Sequence, residues 1–294
     1  MGVRRAVELS CNAVEHSEGA VYTLGPLIHN PQVLDDLSRR GIKTIGEAQF
    51  PALDPSSTLI IRAHGIGAHA EAELRRRGAV IIDATCPHVK ASQLKAAAYA
   101  QAGYRLFLAG EAEHAEIIGI KDYYLSNLPS HRSTDAEGNK KNEENDVLIV
   151  SNAAEAEQAA AKLRAGVTPH LPTALIAQTT ISAEEYDAIT GAITRYFPNL
   201  EITRTICTAT RERQESLREL LDKVDAIIVA GGKDSANTRR LFAIAEASLK
   251  PCALVESTAD IPPDFFNYGT IGICAGASTP DSVIDAINNY FTGN

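Results

Sequence analysis

The sequence lacks an excess of positive charge. Its 28 lysines and arginines stand against 37 aspartates and glutamates, giving a formal net charge of -9. A nucleic acid needs a basic face for its phosphates, so this composition argues against a nucleic-acid partner. It leaves room for a small phosphorylated ligand, because backbone N–H groups and neutral side chains can hold phosphate.

Long apolar runs are also missing. No stretch approaches the roughly 20 apolar residues of a membrane-spanning helix, and no basic segment followed by an apolar core marks a signal peptide. We therefore expect a cytoplasmic protein with no membrane partner. In that compartment the 5 cysteines should be reduced, and their odd number is a poor basis for a disulfide framework.

Several common motifs are absent as well. The sequence has no Cys-x-x-Cys pair, which argues against a zinc ribbon or a thioredoxin-type dithiol. It also has no G-x-G-x-x-G, no Walker A sequence and no G-x-S-x-G elbow. Ordinary nucleotide-binding and hydrolase functions therefore have no support from motifs.

The first helix has no capping residue in front of it. Val3, Val7, Cys11 and Val14 follow helical spacing, which predicts a helix already under way at the second residue. Its opening N–H groups need a turn, a ligand or a preceding strand to meet them. Gly2 suits a tight turn from strand to helix.

What the sequence does contain is an alternation of short apolar runs with helical periodicity. The clearest runs are 59–65, 80–87, 105–114, 174–180, 226–232 and 270–276. Asn30 before Pro31 predicts the start of one helix, and Ser182 with Glu185 predicts a capping box at the start of another. This rhythm predicts more than one parallel sheet with helices on the faces.

Polar side chains follow these apolar runs. They are His64, Cys86, His114, Glu116, Thr179, Thr180, Cys207, Ser235, Asn237 and Ser278. Any one of them alone is explained by a strand end that meets water. Since ligands of open α/β sheets bind at the carboxyl ends of strands, the whole set indicates a binding or catalytic site.

The cysteines fall into two groups. Cys86 precedes Pro87 at a predicted helix start, where we expect the thiolate to be favoured, and Cys207 is placed similarly. Both are candidate metal ligands or nucleophiles. Cys11, Cys252 and Cys274 lie on apolar faces or in apolar strands, so we expect them to pack in the core.

Nine blocks of sequence occur in the order of one known family. They are GVRRAV (2–7), IHNPQV (28–33), RAHGIG (62–67), DATCPHV (83–89), GEAEHAEIIG (110–119), AQTTIS (177–182), ICTATRERQ (206–214), GGKDSANTRRL (231–241) and AGASTPD (275–281). With them the chain resembles the LytB (IspH) family of 4-hydroxy-3-methylbut-2-enyl diphosphate reductases. These iron-sulfur enzymes catalyse the last step of the non-mevalonate isoprenoid pathway.

The resemblance implies an α/β fold of three units, each with a small parallel sheet, around a central cavity in a trefoil. We expect the first unit at 1–86 without its N-terminal strand, the second at 87–203 and the third at 204–294. The polar segment 128–146 in the second unit is expected to be a surface loop without chemistry, so His131 is left out of the site.

The resemblance also implies a 4Fe–4S cluster on three cysteines, with one iron open to the substrate hydroxyl. Cys86 and Cys207 match the second and third ligands, whereas the family's first ligand comes two residues before the position of Gly2. We therefore expect two of the three ligands here and low reductase activity of the chain as given. Cys11 is a poor substitute, being roughly 13 Å along the helix. An upstream start codon, a truncation and a degenerate paralogue all remain open.

By the same resemblance, an allylic diphosphate loses its hydroxyl as water after two electrons arrive, giving isopentenyl and dimethylallyl diphosphate. Glu116 matches the proton-delivering carboxylate, with His114 and Thr179 beside the substrate hydroxyl. The substrate-binding positions are His29, His64, His114, Thr179, Ser235, Ala236, Asn237 and Ser278. At Ala236 the family usually has a hydroxyl. The expected electron donor is a small ferredoxin or flavodoxin.

Two alternatives to the reductase differ in class. A cluster-free diphosphate-binding or regulatory paralogue would keep the pocket and bind the substrate without iron. A cysteine-nucleophile enzyme would use Cys86 or Cys207, and its thiol would be alkylated rapidly.

Overall fold

The computed structural model describes residues 2–46, 49, 54, 56–78, 80–129, 146–165 and 171–293. Within these ranges the strands form three sheets, and every strand pair is parallel. The predicted α/β fold with three small parallel sheets is therefore confirmed. Most of the predicted loop 128–146, including His131, lies outside the described residues.

The first sheet has the strand order β2-β1-β3-β4. Its strands are β1 (Val21–Leu24), β2 (Lys43–Ile45), β3 (Thr58–Ile61) and β4 (Val80–Asp83), and its helices are α1 (Gly2–His16), α2 (Pro31–Arg39) and α3 (Ala68–Arg76). α1 begins at the second residue, as its spacing predicts.

The second sheet repeats this order as β6-β5-β7-β8. Its strands are β5 (Arg105–Ala109), β6 (Val147–Val150), β7 (Thr173–Ala177) and β8 (Glu201–Ile202). Its helices are α4 (Pro87–Gln101), α5 (Ala115–Leu125), α6 (Ala153–Ala165) and α7 (Ala183–Thr194).

The third sheet has the order β10-β9-β11 among the described residues. Its strands are β9 (Ala226–Ala230), β10 (Cys252–Val255) and β11 (Ile271–Ala275), and its helices are α8 (Thr208–Leu221), α9 (Ala236–Ala247) and α10 (Asp281–Thr292). Short 3-10 turns cover Thr258–Asp260 and Pro263–Asn267. The unit boundaries at 86/87 and 203/204 stay predictions.

Each sheet lies between two apolar clusters, one on each face. In the second unit, for example, Tyr186 of α7 is fully buried on one face of the sheet and Tyr124 of α5 on the other. Helices on both faces leave the strand ends as the exposed part of each sheet. None of the described helices is long and apolar enough to span a bilayer.

The predicted helix starts are present, with one difference. The side chain of Asn30 accepts a hydrogen bond from the Val33 N–H at the start of α2. Ser182 likewise accepts from the Glu185 N–H, but the Glu185 carboxylate pairs with Arg240 of α9. Only the serine half of the predicted capping box forms, because a distant cation takes the carboxylate that would complete it.

A partly buried ionic cluster joins α3 to α4 and α5. Glu71 Oε2 lies 2.8 Å from Lys90 Nζ and accepts a 2.5 Å hydrogen bond from the Tyr123 hydroxyl. Burial alone would raise the pKa of Glu71, but the hydrogen bonds from Lys90, Tyr123 and Arg75 lower it to about 2. The cluster ties the first unit to the second.

Glu71→Gln should lower the free energy of unfolding at pH 7 by about 1–3 kcal/mol, because the partly buried Lys90 would lose the nearer of its two anionic partners in the described part of the chain and keep Asp83 at 3.5 Å. A carboxyl with a lowered folded pKa stabilises the fold above its unfolded pKa. The advantage of the parent chain should therefore shrink as the pH falls from about 4.5 toward 2. Urea unfolding at several pH values tests this, with Glu73→Gln, whose ion-pair partners Arg76 and Arg77 are exposed, as control. Equal losses in both variants would contradict it.

Candidate active site

Three histidines from two units meet at the strand ends. His29 precedes the N-cap of α2, His64 follows β3, and His114 is the N-cap of α5. The ring centroid of His64 lies 4.7 Å from that of His29 and 5.4 Å from that of His114, and the remaining pair is 6.1 Å apart. The structure therefore brings together three imidazoles that are far apart in sequence.

These imidazoles are neutral at pH 7. Burial lowers the pKa of His29, lowers that of His64 well below its ordinary value, and lowers that of His114 to about 4. The Arg62 guanidinium also lowers all three pKa values. Nδ1 of His114 accepts a 3.2 Å hydrogen bond from the Glu116 N–H, so the ring proton is on Nε2. His114 therefore offers an N–H donor.

Glu116, in the first turn of α5, is almost completely buried. Its Oε1 accepts a 2.7 Å hydrogen bond from the Thr179 N–H, and its Oε2 accepts a 2.9 Å hydrogen bond from the Thr179 hydroxyl. Burial raises the pKa of Glu116 to about 7, against the opposing effect of both Thr179 hydrogen bonds. The carboxyl can therefore release or take up a proton near neutral pH.

The third unit supplies polar groups at the start of α9. Ser235 is the N-cap of this helix, and both polar side-chain atoms of Asn237 are buried with no hydrogen-bond partner. Buried amide atoms of this kind cost free energy unless a ligand or water meets them. Ala236 between them is also buried.

The third unit closely approaches His29 of the first. The Ser278 hydroxyl donates a 3.4 Å hydrogen bond to the His29 carbonyl oxygen. A Cβ on Gly232 would lie 2.4 Å from that same oxygen, so only glycine permits this approach. The predicted substrate-binding residues of the first and third units are thus adjacent.

Cys86 and Cys207 are the N-caps of α4 and α8. They are close enough for a charge on Cys207, or on Glu116, to raise the pKa of Cys86. Burial raises that pKa more strongly than the backbone N–H groups of His88 and Val89 lower it. The expectation that the helix start favours thiolate is therefore wrong for Cys86, because desolvation outweighs the helix end.

The remaining cysteines pack against apolar clusters, as expected. Cys11 lies against the core beside α1 and α2, and Cys252 and Cys274 lie against the core between the third sheet, α8 and α9.

Two residues near the site were missed by sequence reasoning. Arg62 sits between a strand and His64, and its Nε donates a 3.2 Å hydrogen bond to the Gly65 carbonyl oxygen. Gln178 is fully buried, accepts from the Glu111 N–H at 3.0 Å and donates to the Thr180 hydroxyl at 2.8 Å. The position of Gln178 between β7 and Thr179 was the available signal.

The site suits an anion better than a bare cation. The histidines do form a set of possible metal ligands, with atoms within 4.8 Å of one another in the part of the chain described. However, His114 presents a protonated Nε2, and the Arg62 charge acts on all three rings. Neutral N–H donors and a nearby guanidinium are the groups that bind phosphate oxygens.

The two thiols at the helix starts suit a metal cluster. A Cβ placed on Gly2 would lie 2.5 Å from Cys86 Sγ, so the start of α1 touches this thiol. Cys86 thus lies against the start of α1 and within electrostatic range of Cys207, and a pair of soft thiolate ligands suits an iron-sulfur cluster.

Comparison with known proteins gives one consistent result. The sequence model of the LytB protein family matches residues 1–292. The 4-hydroxy-3-methylbut-2-enyl diphosphate reductase of Treponema denticola is 41% identical, over 97% of this chain and 93% of its own length.

Solved structures agree with this match. A structure titled as (E)-4-hydroxy-3-methyl-but-2-enyl diphosphate reductase, the terminal enzyme of the non-mevalonate pathway, is 33% identical, with a TM-score of 0.69 over 100% of this chain and 95% of that one. The Plasmodium falciparum E-1-hydroxy-2-methyl-but-2-enyl-4-diphosphate reductase is 24% identical, with a TM-score of 0.85 over 99% of this chain and 84% of that one, and shows the same fold.

Proposed function

Since the chain belongs to the LytB protein family, we propose that it reduces (E)-4-hydroxy-3-methylbut-2-enyl diphosphate to isopentenyl and dimethylallyl diphosphate. The reaction consumes two electrons and two protons and releases one water, because the C–O bond to the hydroxyl breaks and a C–H bond forms. The observation that carries this proposal is the buried Glu116, held by Thr179 beside three neutral imidazoles.

Members of this family bind a 4Fe–4S cluster, which supplies the electrons and an iron site for the substrate hydroxyl when bound. We propose Cys86 and Cys207 as two of its three thiolate ligands, each presented at a helix start. The start of α1 lies against one of these thiols, since a Cβ on Gly2 would lie 2.5 Å from Cys86 Sγ.

The diphosphate would be held by groups from all three units. His29 and His64 of the first unit and His114 of the second offer neutral imidazoles. Asn237 of the third unit would donate from its unpartnered Nδ2 to a phosphate oxygen. Ser235 and Ser278 would add hydroxyl donors. An acidic protein can bind an anion in this way without a basic surface.

Glu116 would hold and deliver the proton that leaves with the hydroxyl. Its pKa of about 7 keeps a substantial fraction protonated at neutral pH. Thr179, which donates to Oε2, would turn the carboxyl toward the substrate, and His114 would donate to the substrate hydroxyl from Nε2. The surrounding burial excludes water that would otherwise take the proton.

We further propose a cytoplasmic location and a small ferredoxin or flavodoxin as electron donor. The support is the reaction itself, which needs two electrons from outside the chain. An artificial reductant in an anaerobic assay should replace the natural donor.

The proposal is tested by anaerobic reconstitution with iron and sulfide, followed by an assay of the allylic diphosphate with chemical reductant. The 294-residue chain is compared with a chain extended by a strand ending in Cys before Gly2. Formation of both isopentenyl and dimethylallyl diphosphate by either form would support the reductase. Tight binding of the substrate without cluster or turnover in both forms would favour the cluster-free binding protein instead.

Ala236→Ser should tighten substrate binding by up to about tenfold, because the added hydroxyl can donate one hydrogen bond to a phosphate oxygen. The dissociation constant for inorganic diphosphate, measured by calorimetry, gives the result. The Ala236 position is buried at the first turn of α9, so circular dichroism should be compared as a folding control. An unchanged dissociation constant would mean that position 236 does not contact the ligand.

A further inference from the structure

Four charged side chains meet at the seam between the second and third units. Arg239 Nη2 donates a 2.6 Å hydrogen bond to Glu111 Oε2, and Arg240 Nη2 lies 3.6 Å from Glu111 Oε1. Arg240 Nη1 also donates to Glu185 Oε2. We call Glu111, Glu185, Arg239 and Arg240 the seam cluster.

The two acids of the seam cluster lie close in sequence to the reacting groups of the second unit. Glu111 follows β5 in the turn that ends at His114, and its carbonyl oxygen accepts from the His114 N–H at 2.9 Å. Its own N–H donates to Gln178, the residue before Thr179. The backbone of Glu111 is thus fixed to both loops around Glu116. Glu185 lies in the first turn of α7, and its N–H donates to the Ser182 cap.

The two arginines belong to the helix turn that carries the third unit's anion donors. Ser235 caps α9, and Asn237, Arg239 and Arg240 follow within its first turns. A helix turn moves as one body because its backbone hydrogen bonds fix it. The position of the arginines therefore fixes the position of Ser235 and Asn237.

Burial and charge place the seam cluster close to the site histidines. The Arg240 side chain is only 16% exposed, while Glu111 is 37% and Arg239 46% exposed. Arg239 lowers the pKa of His29 and His114, and Glu111 raises that of His114, so both charges lie within range of the imidazoles. Partly exposed ion pairs add little to global stability, so the larger effect of this one is on local geometry.

We propose that Glu111 is a positioning residue that, through Arg239 and Arg240, holds Ser235 and Asn237 of the third unit at binding distance from His114 and Glu116 of the second. This inference rests on the proposed diphosphate site. It adds to that site a residue that need not touch the substrate. The proposal predicts that loss of the Glu111 charge weakens diphosphate binding.

The test compares Glu111→Gln with Glu184→Gln. Glu184 of α7 pairs with Arg218 of α8 at 2.8 Å, so this ion pair also joins the second unit to the third. The side chains of Glu184 and Arg218 are both well exposed. We expect Glu111→Gln to weaken binding of inorganic diphosphate, and to raise KM of the reconstituted enzyme, by about tenfold. Its kcat should change little, its unfolding midpoint should match that of Glu184→Gln, and Glu184→Gln should bind as the parent does.

Arg239→Gln and the double variant complete the test. If Glu111 acts by holding Arg239, the double variant should lose no more binding than the weaker-binding single variant. The positioning role would be overturned if the two single losses of diphosphate affinity multiplied in the double variant. It would also be overturned if Glu111→Gln bound diphosphate as tightly as Glu184→Gln does. Either result would leave the proposed function standing. A parent chain that fails to bind inorganic diphosphate would instead remove the proposed function and this inference together.

Discussion

Replacing Glu116 with glutamine should lower kcat of the reconstituted enzyme by about 10²–10⁴-fold, the usual contribution of one general acid. Glutamine has the shape of the buried acid but carries no proton that it can release to the leaving hydroxyl. It can still accept one hydrogen bond from Thr179 through its amide oxygen, so the loop should keep its place. Diphosphate affinity should therefore stay within about threefold.

The pH dependence of Glu116 gives a second measurement of the same residue. The protonated form is the proton donor, and its pKa is about 7, so kcat of the parent enzyme should fall as the pH rises through 7. This fall of kcat near pH 7 should be absent from the pH profile of the Glu116→Gln enzyme. Glu113→Gln, an exposed change three residues earlier, should keep the parent profile. A Glu116→Gln enzyme with parental kcat would exclude Glu116 as the acid.

The same carboxyl should make stability depend on pH. Its folded pKa is raised from 4.5 to about 7, so the folded state holds this proton more tightly than the unfolded chain does. The contribution to stability is full below pH 4.5 and is lost as the pH rises through about 7. Glu116→Gln should remove this decline, which urea unfolding between pH 4 and pH 8 would detect.

In the chain extended by a strand ending in Cys before Gly2, Cys86→Ser and Cys207→Ser should each reduce the iron and sulfide retained after anaerobic reconstitution to near background. A hydroxyl is a far poorer ligand for iron than a thiolate, and a cubane that loses a thiolate is labile. Iron analysis and the visible and EPR spectra of the gel-filtered protein measure the effect. The expectation for the extended chain with a Cys before Gly2 is about four irons per chain.

Cys252→Ser and Cys11→Ser are the matched controls for these cysteine variants. Both thiols pack against apolar clusters away from the helix starts that carry Cys86 and Cys207. They should cost some stability and leave the iron content unchanged. If the Cys86 and Cys207 variants retained as much iron as the parent and the two control variants, Cys86 and Cys207 would not be ligands.

Local sequence was sufficient to predict the sheets and the helix starts. The apolar runs 59–65, 80–87 and 105–114 contain strands that end at Ile61, Asp83 and Ala109, and Asn30 and Ser182 cap the helices predicted for them. Backbone hydrogen bonding and capping depend on near neighbours in the chain, so a local pattern is enough to recognise them. For the same reason, the sequence could predict that the polar residues lie at the ends of parallel strands.

The ion pairs between the second and third units could not be predicted from local sequence patterns. Glu185 has the spacing of a capping-box residue, yet its carboxylate pairs with Arg240. Glu111 and Arg239 are separated by 128 positions and share no local pattern. An ion pair depends on which loops meet, and that is decided by the packing of the units.

The sequence by itself determined the family, the parallel strands and the order in which candidate residues follow them. Only the tertiary structure decided how those residues behave. It buried Glu116 and so raised its pKa, and it buried Cys86 and so raised that of the thiol despite the helix start. The reason is that desolvation and Coulomb interactions depend on distance in space, and the residues that produce them here come from different units of the chain.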